Sequence, residues 1–245
     1  MARPTPSDRL IALVRGQGRV LVLTGAGVSR ESGIATFRDA GGLWEGIDPM
    51  EVATPRAFAA DPARVWKFYD ARREQASRAE PNAAHRAIAA LEASGRPFLL
   101  ATQNVDGLHE RAGSRAMVRL HGSLWRVRCT AEGTERDDLR PRVDPLPPVC
   151  STCGALLRPA VVWFEEPLPM LEYSRAEAAA REAELVLVAG TSSLVYPAAS
   201  LPQVALAAGA YVVEINPERT PLSPFVSEHL AGPAGEILPA LLEAA

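Results

Sequence analysis

The chain has 245 residues, of which 47% are hydrophobic and 22% are charged, and this apolar content excludes a disordered chain. Its 26 Lys and Arg residues and 29 Asp and Glu residues give a net charge of -3, which argues against a nucleic-acid binder with a basic face. The apolar runs, such as residues 185–189, are far shorter than the roughly 20 residues of a membrane span, and the N-terminus lacks the apolar region of a signal peptide. We therefore expect one globular unit in the cytoplasm, with no membrane partner.

Short apolar runs alternate with helical segments along the chain. Buried parallel strands are predicted at residues 19–24, 97–102, 185–189 and 211–215. Helices are predicted at 62–78, 82–94, 175–184, 197–208 and from 235 to the end. This order predicts an α/β fold with a doubly wound, mostly parallel, Rossmann-like sheet.

Residues 124–158 interrupt this alternation, because they are polar, rich in Pro and Arg, and bounded by cysteines. We interpret them as a small inserted, zinc-ribbon-like module. The predicted organisation is a single domain over 1–245, with a Rossmann-like nucleotide-binding part at 18–123 and 159–242 and the module at 124–158.

Ligands of such sheets bind at the carboxyl ends of the strands, where polar residues gather in this chain. After the first strand, Gly25-Ala26-Gly27 allows a tight turn whose N–H groups can hold a pyrophosphate, although an ordinary strand-to-helix turn has the same form. Arg30 stands where the dehydrogenase fingerprint G-x-G-x-x-G has its third glycine. A nucleotide binder of another kind is therefore favoured over a hydride-transfer enzyme.

Further polar residues follow the later strands. Gln103, Asn104 and Asp106 follow the second strand, where side chains for a ribose or a carboxamide are expected. His121 is the candidate general base, because an imidazole with a pKa near ~6.5 can accept a proton at neutral pH. A structural, hydrogen-bonding histidine is the alternative. Since residues 190–199 and 215–218 are also small and polar, we expect the strand ends to converge on one crevice.

An ordered series of motifs resembles the sirtuin family of NAD-dependent protein lysine deacylases. The motifs are GAGVSRESGIATFRD (25–39), TQNVDGLHERAG (102–113), HGSLW (121–125), VVWFEE (161–166), GTSSLVYPAA (190–199), EINPE (214–218) and AGPAGE (231–236). The resemblance covers residues 18 to 242. It implies acylated lysine side chains of proteins as partners and the release of free lysine, nicotinamide and O-acyl-ADP-ribose.

The resemblance also implies the site residues. NAD would be held by Gly25, Ala26, Gly27, Ser29, Phe37, Arg38, Trp44, Gln103, Asn104, Asp106, Gly190, Thr191, Ser192, Asn216, Pro217, Glu218 and Ala234. Catalysis would rest on His121, which activates a hydroxyl of the nicotinamide ribose, together with Asn104 and Asp106.

The resemblance places the substrate backbone along Val161, Val162, Trp163 and Phe164 by strand addition, whereas the alternative is an apolar strand buried in the core. Two residues depart from related sequences: Ala160 replaces a common His, and Glu165 replaces a common Gly. Because Glu165 adds charge and bulk beside the place expected for the substrate peptide, the preferred peptide sequence stays open.

One face of the predicted helix 62–78 carries residues at i, i+3 and i+4 spacing: Val65, Phe68, Tyr69 and Arg72. An arginine on this apolar stripe needs a partner, ordinarily solvent or a structural carboxylate. In the resemblance, Tyr69 and Arg72 match the pair that holds the carboxylate of succinyl- or malonyl-lysine in the desuccinylase subgroup, since arginine forks onto carboxylates. The following Arg73 is expected at the surface.

Three cysteines cannot all pair within one chain. Cys150 and Cys153, followed by Gly154, have the form of half a zinc site, and Cys129 lies at the distance expected of the other half. A fourth cysteine would stand at Glu132. Two outcomes stay open: a structural zinc held by three thiolates and one carboxylate, or no metal.

Functions from three classes are compared. An NAD-dependent deacylase acting on acetyl-, succinyl- and malonyl-lysine is favoured. ADP-ribosyl transfer to a protein side chain on the same fold is the alternative, against which Tyr69 and Arg72 argue because they predict an acyl pocket. A non-catalytic NAD-sensing or zinc-ribbon module would need neither His121 nor the pair Asn104 and Asp106.

Overall fold

The computed structural model describes residues 4–36 and 47–245. Its strands are β1 (Val20–Thr24), β2 (Phe98–Thr102), β3 (Met117–Arg119), β4 (Gly122–Cys129), β5 (Glu135–Asp137), β6 (Leu157–Val161), β7 (Leu185–Ala189), β8 (Tyr211–Ile215) and β9 (Glu228–Leu230). A six-stranded sheet has the order β3-β2-β1-β7-β8-β9 with every neighbouring pair parallel. The predicted doubly wound, Rossmann-like sheet is thereby confirmed.

The helices cover both faces of this sheet. They are α1 (Asp8–Arg15), α2 (Pro55–Ala60), α3 (Pro62–Arg78), α4 (Ala83–Ala93), α5 (Leu108–Ala112), α6 (Met170–Glu182), α7 (Leu201–Ala207) and α8 (Ala234–Ala244). Short 3-10 helices occupy Ala26–Ser32, Pro49–Glu51 and Ala198–Ser200. The predicted strands are found within one residue of their predicted bounds, and each predicted helix is found with bounds shifted by up to five residues.

Side chains along β1 alternate between the two faces of the sheet and pack against a different layer of helices on each face. Val20 and Val22 pack in a core with α1, α4 and α8, whereas Leu21 and Leu23 pack in a second core with α6 and α7. Every residue of β1 is buried, as expected of a central strand covered on both faces. The polar ends of the strands are therefore the part of the sheet left for a ligand.

A second, antiparallel sheet with the order β5-β4-β6 forms beside the first. Its core shares residues with α3, among them Val65, Trp66 and Tyr69. The predicted module boundaries at 124 and 158 fall inside β4 and β6. The division of the chain into a nucleotide-binding part and an inserted module stays a prediction.

Within residues 4–36 and 47–245, none of the helices has the length and apolar character to cross a membrane.

Candidate functional site

Glycines bring the loops after β1 and β7 into backbone contact. A Cβ added to Gly25 would lie 2.9 Å from the Gly190 carbonyl oxygen, and one added to Gly27 would lie 2.8 Å from the Gly190 Cα. The Gly27 N–H donates to the Gly190 carbonyl at 2.8 Å, and Gly190 has a φ of +60°. A side chain at Gly25 or Gly27 would collide with the loop after β7, so these glycines let the two loops pack together; we call these loops the glycine cradle. The N–H groups of Gly25 and Gly27 donate to the Ala189 and Gly190 carbonyls, so other groups of the turn would have to bind the predicted pyrophosphate.

A hydrogen-bond network lies beside this cradle. The Ser29 hydroxyl, in the 3-10 helix after β1, donates to Asp106 Oδ2 at 2.7 Å and accepts from Asn104 Nδ2 at 3.1 Å. Asp106 Oδ1 accepts the Leu108 N–H at 2.9 Å. Burial raises the pKa of Asp106, and the bonds from Leu108 and Ser29 oppose that rise. The network holds the predicted residues Ser29, Asn104 and Asp106 in one fixed arrangement.

His85 joins this network, although the sequence did not predict it. Its Nε2 lies 3.4 Å from Ser29 Oγ, and its Nδ1 lies 3.2 Å from the Asn82 backbone nitrogen and 3.0 Å from Asn82 Oδ1. Burial lowers the pKa of His85 to about 3, which keeps the ring neutral. The available signal was Asn82 three residues before His85, which was used only to place the start of α4.

The remaining strand ends meet at the same edge of the sheet. Gln103 Nε2 donates to Thr191 Oγ1 at 3.1 Å, and Asn216 Nδ2 donates to the Thr191 carbonyl at 2.9 Å. These bonds connect the ends of β2, β7 and β8. The predicted residues Ser192, Pro217 and Glu218 lie in the loops after β7 and β8.

Helix α8 completes this side of the site. Its N-terminus carries Ala234, and the Gly235 N–H donates to Glu31 Oε2 at 2.7 Å, so this helix end lies beside the 3-10 helix that follows β1. The predicted convergence of strand ends is found among the described residues. Phe37, Arg38 and Trp44 lie outside the residues that the structure describes.

His121 lies between β3 and β4, next to the polar end of β2. Its Nδ1 lies 3.2 Å from the Gln103 carbonyl oxygen, which can only accept, so Nδ1 donates and Nε2 is the acceptor nitrogen. Burial lowers the pKa of His121, while the bond to Gln103 opposes that shift. A neutral imidazole with an oriented acceptor nitrogen is suited to general base catalysis.

Tyr69 and Arg72 of α3 lie together, as the sequence predicts. Tyr69 is 2% exposed, and the Arg72 guanidinium carbon lies 5.7 Å from its ring centroid. Burial lowers the pKa of Arg72, and the neighbouring Tyr69 and Asp106 oppose that shift. The guanidinium is thus half-buried, in the field of the Asp106 carboxylate that belongs to the network at Ser29.

The expectation that Arg73 lies at the surface is wrong. Its side chain is 0% exposed, and it donates from Nε to the Arg140 carbonyl at 3.1 Å and from Nη2 to Asp138 Oδ1 at 2.9 Å. The loop after β5 covers this side of α3. Helix periodicity alone could not show this cover, because the covering residues come from the inserted segment.

The segment from Val161 to Phe164 begins at the last residue of β6 and is only partly exposed. Val161 and Trp163 are 6% and 3% exposed, whereas Phe164 is 47% exposed. The Val162 N–H donates to the His121 carbonyl at 2.9 Å, so this segment lies directly beside the candidate base. The Trp163 ring belongs to the core, and a contact of Trp163 with the substrate stays a prediction.

Glu165 has a φ of +72°, a conformation that favours glycine. The Gly that the resemblance implies at this position would adopt this conformation without strain. The Glu165 carboxylate lies 3.8 Å from the Arg56 guanidinium, and both side chains are exposed.

The cysteines and Glu132 form one cluster. The ligand atoms of Cys129, Glu132, Cys150 and Cys153 all lie within 4.8 Å of one another. Backbone N–H groups of Cys153 and Thr152 lower the pKa of Cys150, whereas the pKa of Cys153 is raised, because its contacts with Cys129 and Cys150 outweigh the hydrogen bond from the Ala155 backbone. Three sulfurs and one carboxylate at this spacing fit a tetrahedral zinc ion.

The two turns that carry these ligands have the same form. Cys129 N–H donates to the Thr134 carbonyl and Gly133 N–H to the Cys129 carbonyl, both at 2.9 Å. In the second turn, Cys150 N–H donates to the Ala155 carbonyl at 2.7 Å and Gly154 N–H to the Cys150 carbonyl at 2.9 Å. Glu132 therefore occupies in its turn the place that Cys153 occupies in the other.

Comparisons with known proteins agree with this geometry. The model of the "Sir2 family" matches residues 25–197. The chain is 51% identical to the NAD-dependent protein deacylase 2 of Pyrobaculum aerophilum, over 94% of this chain and 92% of that protein. It is 50% identical to the NAD-dependent protein deacylase 1 of Pseudomonas aeruginosa, over 96% and 98% of the two chains. Among solved structures, a complex of a Sir2 homologue with NAD is similar at a TM-score of 0.93, with 46% identity, 99% of this chain and 95% of that chain covered.

Proposed function

Because the chain belongs to the Sir2 family, we propose that it is an NAD-dependent protein lysine deacylase whose substrates are acylated lysine side chains of proteins. The observation that carries this proposal is the meeting of the glycine cradle, the Ser29 network and the oriented His121 at one edge of the sheet. A cytoplasmic location stays a prediction of the sequence.

Different residues of the site would bind NAD and transfer the proton. In this proposal the loops that carry Gly25, Gly27 and Gly190 would hold the pyrophosphate, and Ser29 with Asn104 and Asp106 would hold the ribose beside the nicotinamide. When bound, NAD supplies the nicotinamide–ribose bond whose cleavage provides the acceptor of the acyl group. His121 Nε2 accepts a proton from a ribose hydroxyl, because its other nitrogen is committed to the Gln103 carbonyl.

The acyl groups that we propose are acetyl, succinyl and malonyl. A succinyl or malonyl carboxylate that enters this site loses water, and a desolvated anion is tolerated only beside a charge-assisted partner. Arg72 supplies the charge and Tyr69 supplies a hydroxyl, both held on one side of α3. This pair supports a desuccinylase and demalonylase activity in addition to deacetylation.

We propose that Cys129, Cys150, Cys153 and Glu132 hold a structural zinc ion. Its role would be to fix the two turns of the small sheet. The catalytic groups His121, Asn104 and Asp106 are not among its ligands.

A panel of acylated peptides incubated with and without NAD, analysed by mass spectrometry, tests the proposal. We expect acetyl and succinyl groups to be lost only with NAD, with nicotinamide and O-acyl-ADP-ribose among the products. ADP-ribosylated peptide without loss of the acyl group would instead support the transferase on the same fold. No NAD-dependent change in any peptide would contradict the deacylase function.

A further inference from the structure

Polar groups contact the backbone N–H, the ring face and the Nε1 atom of Trp163. Its backbone N–H donates to Glu166 Oε2 at 2.9 Å, and the Arg158 guanidinium carbon lies 3.4 Å from the centroid of its indole ring. Arg158 in turn donates from Nη2 to Glu166 Oε2 at 2.8 Å. Burial alone would raise the pKa of Glu166, but the bonds from Arg158 and Trp163 lower it, so the carboxylate stays charged. This arrangement fixes the plane of the indole ring.

The fixed indole contacts the acyl-recognition pair through one hydrogen bond. Trp163 Nε1 donates to the Tyr69 hydroxyl oxygen at 3.0 Å, and both side chains are at most 3% exposed. Indole nitrogen can only donate, so the direction of this bond is certain. The Arg72 guanidinium carbon lies 5.7 Å from the Tyr69 ring centroid, and Tyr69 opposes the lowering of the Arg72 pKa by burial.

The phenol oxygen of Tyr69 is therefore an acceptor toward Trp163. A hydroxyl has two acceptor positions and one proton. With the Trp163 N–H at one acceptor position, the proton of Tyr69 is left to donate to another group. A carboxylate beside Arg72 is the group that such a donor stabilises best.

We propose that Trp163, fixed by Arg158 and Glu166, is a positioning residue that determines the preference for acidic acyl groups by orienting the Tyr69 hydroxyl. This inference rests on the proposed deacylase function and deepens its acyl specificity. Trp163 acts through Tyr69 and contacts no acyl group with its indole nitrogen.

The test compares kcat/KM for acetyl and succinyl versions of one peptide at saturating NAD. Trp163→Phe keeps an aromatic ring but removes the N–H donor, so we expect the succinyl-to-acetyl ratio to fall roughly three- to tenfold, the effect of losing one hydrogen bond. In a Tyr69→Phe background the same change should alter the ratio by less than about twofold, because the oxygen that it orients is gone.

Trp66→Phe is the matched control. Trp66 is a 0% exposed residue of the same core whose Nε1 donates at 2.7 Å to the Leu157 carbonyl and not to Tyr69. We expect this variant to lower the melting temperature and to leave the acyl ratio within about twofold of the wild type. A Trp66 variant with the same fall in ratio as Trp163→Phe would overturn the inference.

Other outcomes separate the inference from the proposed function. Equal losses on both acyl groups, or an undiminished Trp163→Phe effect in the Tyr69→Phe background, would overturn the inference. If Trp163→Phe does not fold, Arg158→Lys keeps the charge without the planar stack, and an unchanged ratio in that variant overturns the inference. Wild-type activity on acetyl but not succinyl peptide also overturns it and leaves the deacylase function intact. No NAD-dependent removal of either group contradicts the deacylase function itself.

Discussion

At the scale of single residues, His121 is the base that we propose, and its environment suits that task. We expect His121→Ala to lower kcat by about 10²- to 10⁴-fold, the usual contribution of a positioned base, with little change in NAD affinity. Deacetylation kinetics and calorimetric NAD binding measure the two effects. Full activity in this variant would exclude His121 from the mechanism.

The burial of His121 also predicts a pH profile. Burial lowers its pKa, so the ring stays neutral, and competent as a base, to lower pH than an exposed histidine. The acidic limb of kcat/KM should therefore have its midpoint below the ordinary value of ~6.5. A midpoint above that value would contradict the assignment, and His121→Ala should lack the limb.

Arg72 is the residue on which acidic acyl groups depend in our proposal. Arg72→Met should cut kcat/KM for a succinyl peptide roughly 30- to several-thousand-fold, since removal of one member of a buried charge pair costs ~2–5 kcal/mol. Deacetylation should change much less. Arg78→Met is the control, because Arg78 lies on the same helix with its side chain 76% exposed. Parallel losses on both peptides would mean that Arg72 is structural.

Arg72 and Arg73 show how far sequence predicts such residues. The spacing of Tyr69 and Arg72 was sufficient to place both on one face of α3. The burial of Arg73 was not predicted, because it depends on Asp138 and Arg140, which lie about 65 residues away in the chain. His85 was missed for a related reason, because its partner Ser29 lies in another element.

At the scale of elements, the two ligand turns have matching hydrogen bonds. We expect Cys150→Ser to lose the metal and at least about 2 kcal/mol of stability, which is roughly 4–8 °C for a chain of this size. Metal content by mass spectrometry and thermal unfolding measure both. Glu132→Cys is the complementary variant, and it should bind zinc more tightly because thiolate is the softer ligand. Unchanged metal content and stability in Cys150→Ser would contradict the site.

Elements were predictable where their pattern is local. The buried runs gave β1, β2, β7 and β8 within a residue. Helix α6 begins at Met170 rather than at 175, because its first turn exposes Met170 and Leu171 and so lacks an amphipathic signal. Strands β3, β5 and β9 were missed, since three-residue strands depend on pairing partners that the local sequence does not name. Strands β4 and β6 were missed as well, because they lie at the edges of the polar segment that was interpreted only as an inserted module.

At the scale of the whole molecule, buried histidines predict how stability depends on pH. His85 and His109 are at most 1% exposed, and burial lowers their pKa values to about 3 and about 4. Between pH ~6.5 and ~4 the unfolded chain binds more protons than the folded one, so the free energy of unfolding falls as the pH falls.

The expected slope is about 1.4 kcal/mol per pH unit for each of these histidines, and buried His121 adds to it. Urea unfolding across this pH range measures it. His109→Gln, which can keep a hydrogen bond to Thr24, should reduce the slope. A free energy of unfolding that is constant over this pH range would contradict the lowered pKa values of the buried histidines.

The strand order also has a consequence for synthesis on the ribosome. Val20 of β1 pairs with Phe98 on one side and with Leu185 on the other, so the central strand emerges early but gains its second neighbour only when most of the chain has been made. Until then a nascent chain carries an apolar strand with an open edge, the kind of surface that recruits chaperones or aggregates. Translation pauses before residue 185 should therefore increase the chaperone dependence of this protein, whereas pauses after β8 should not.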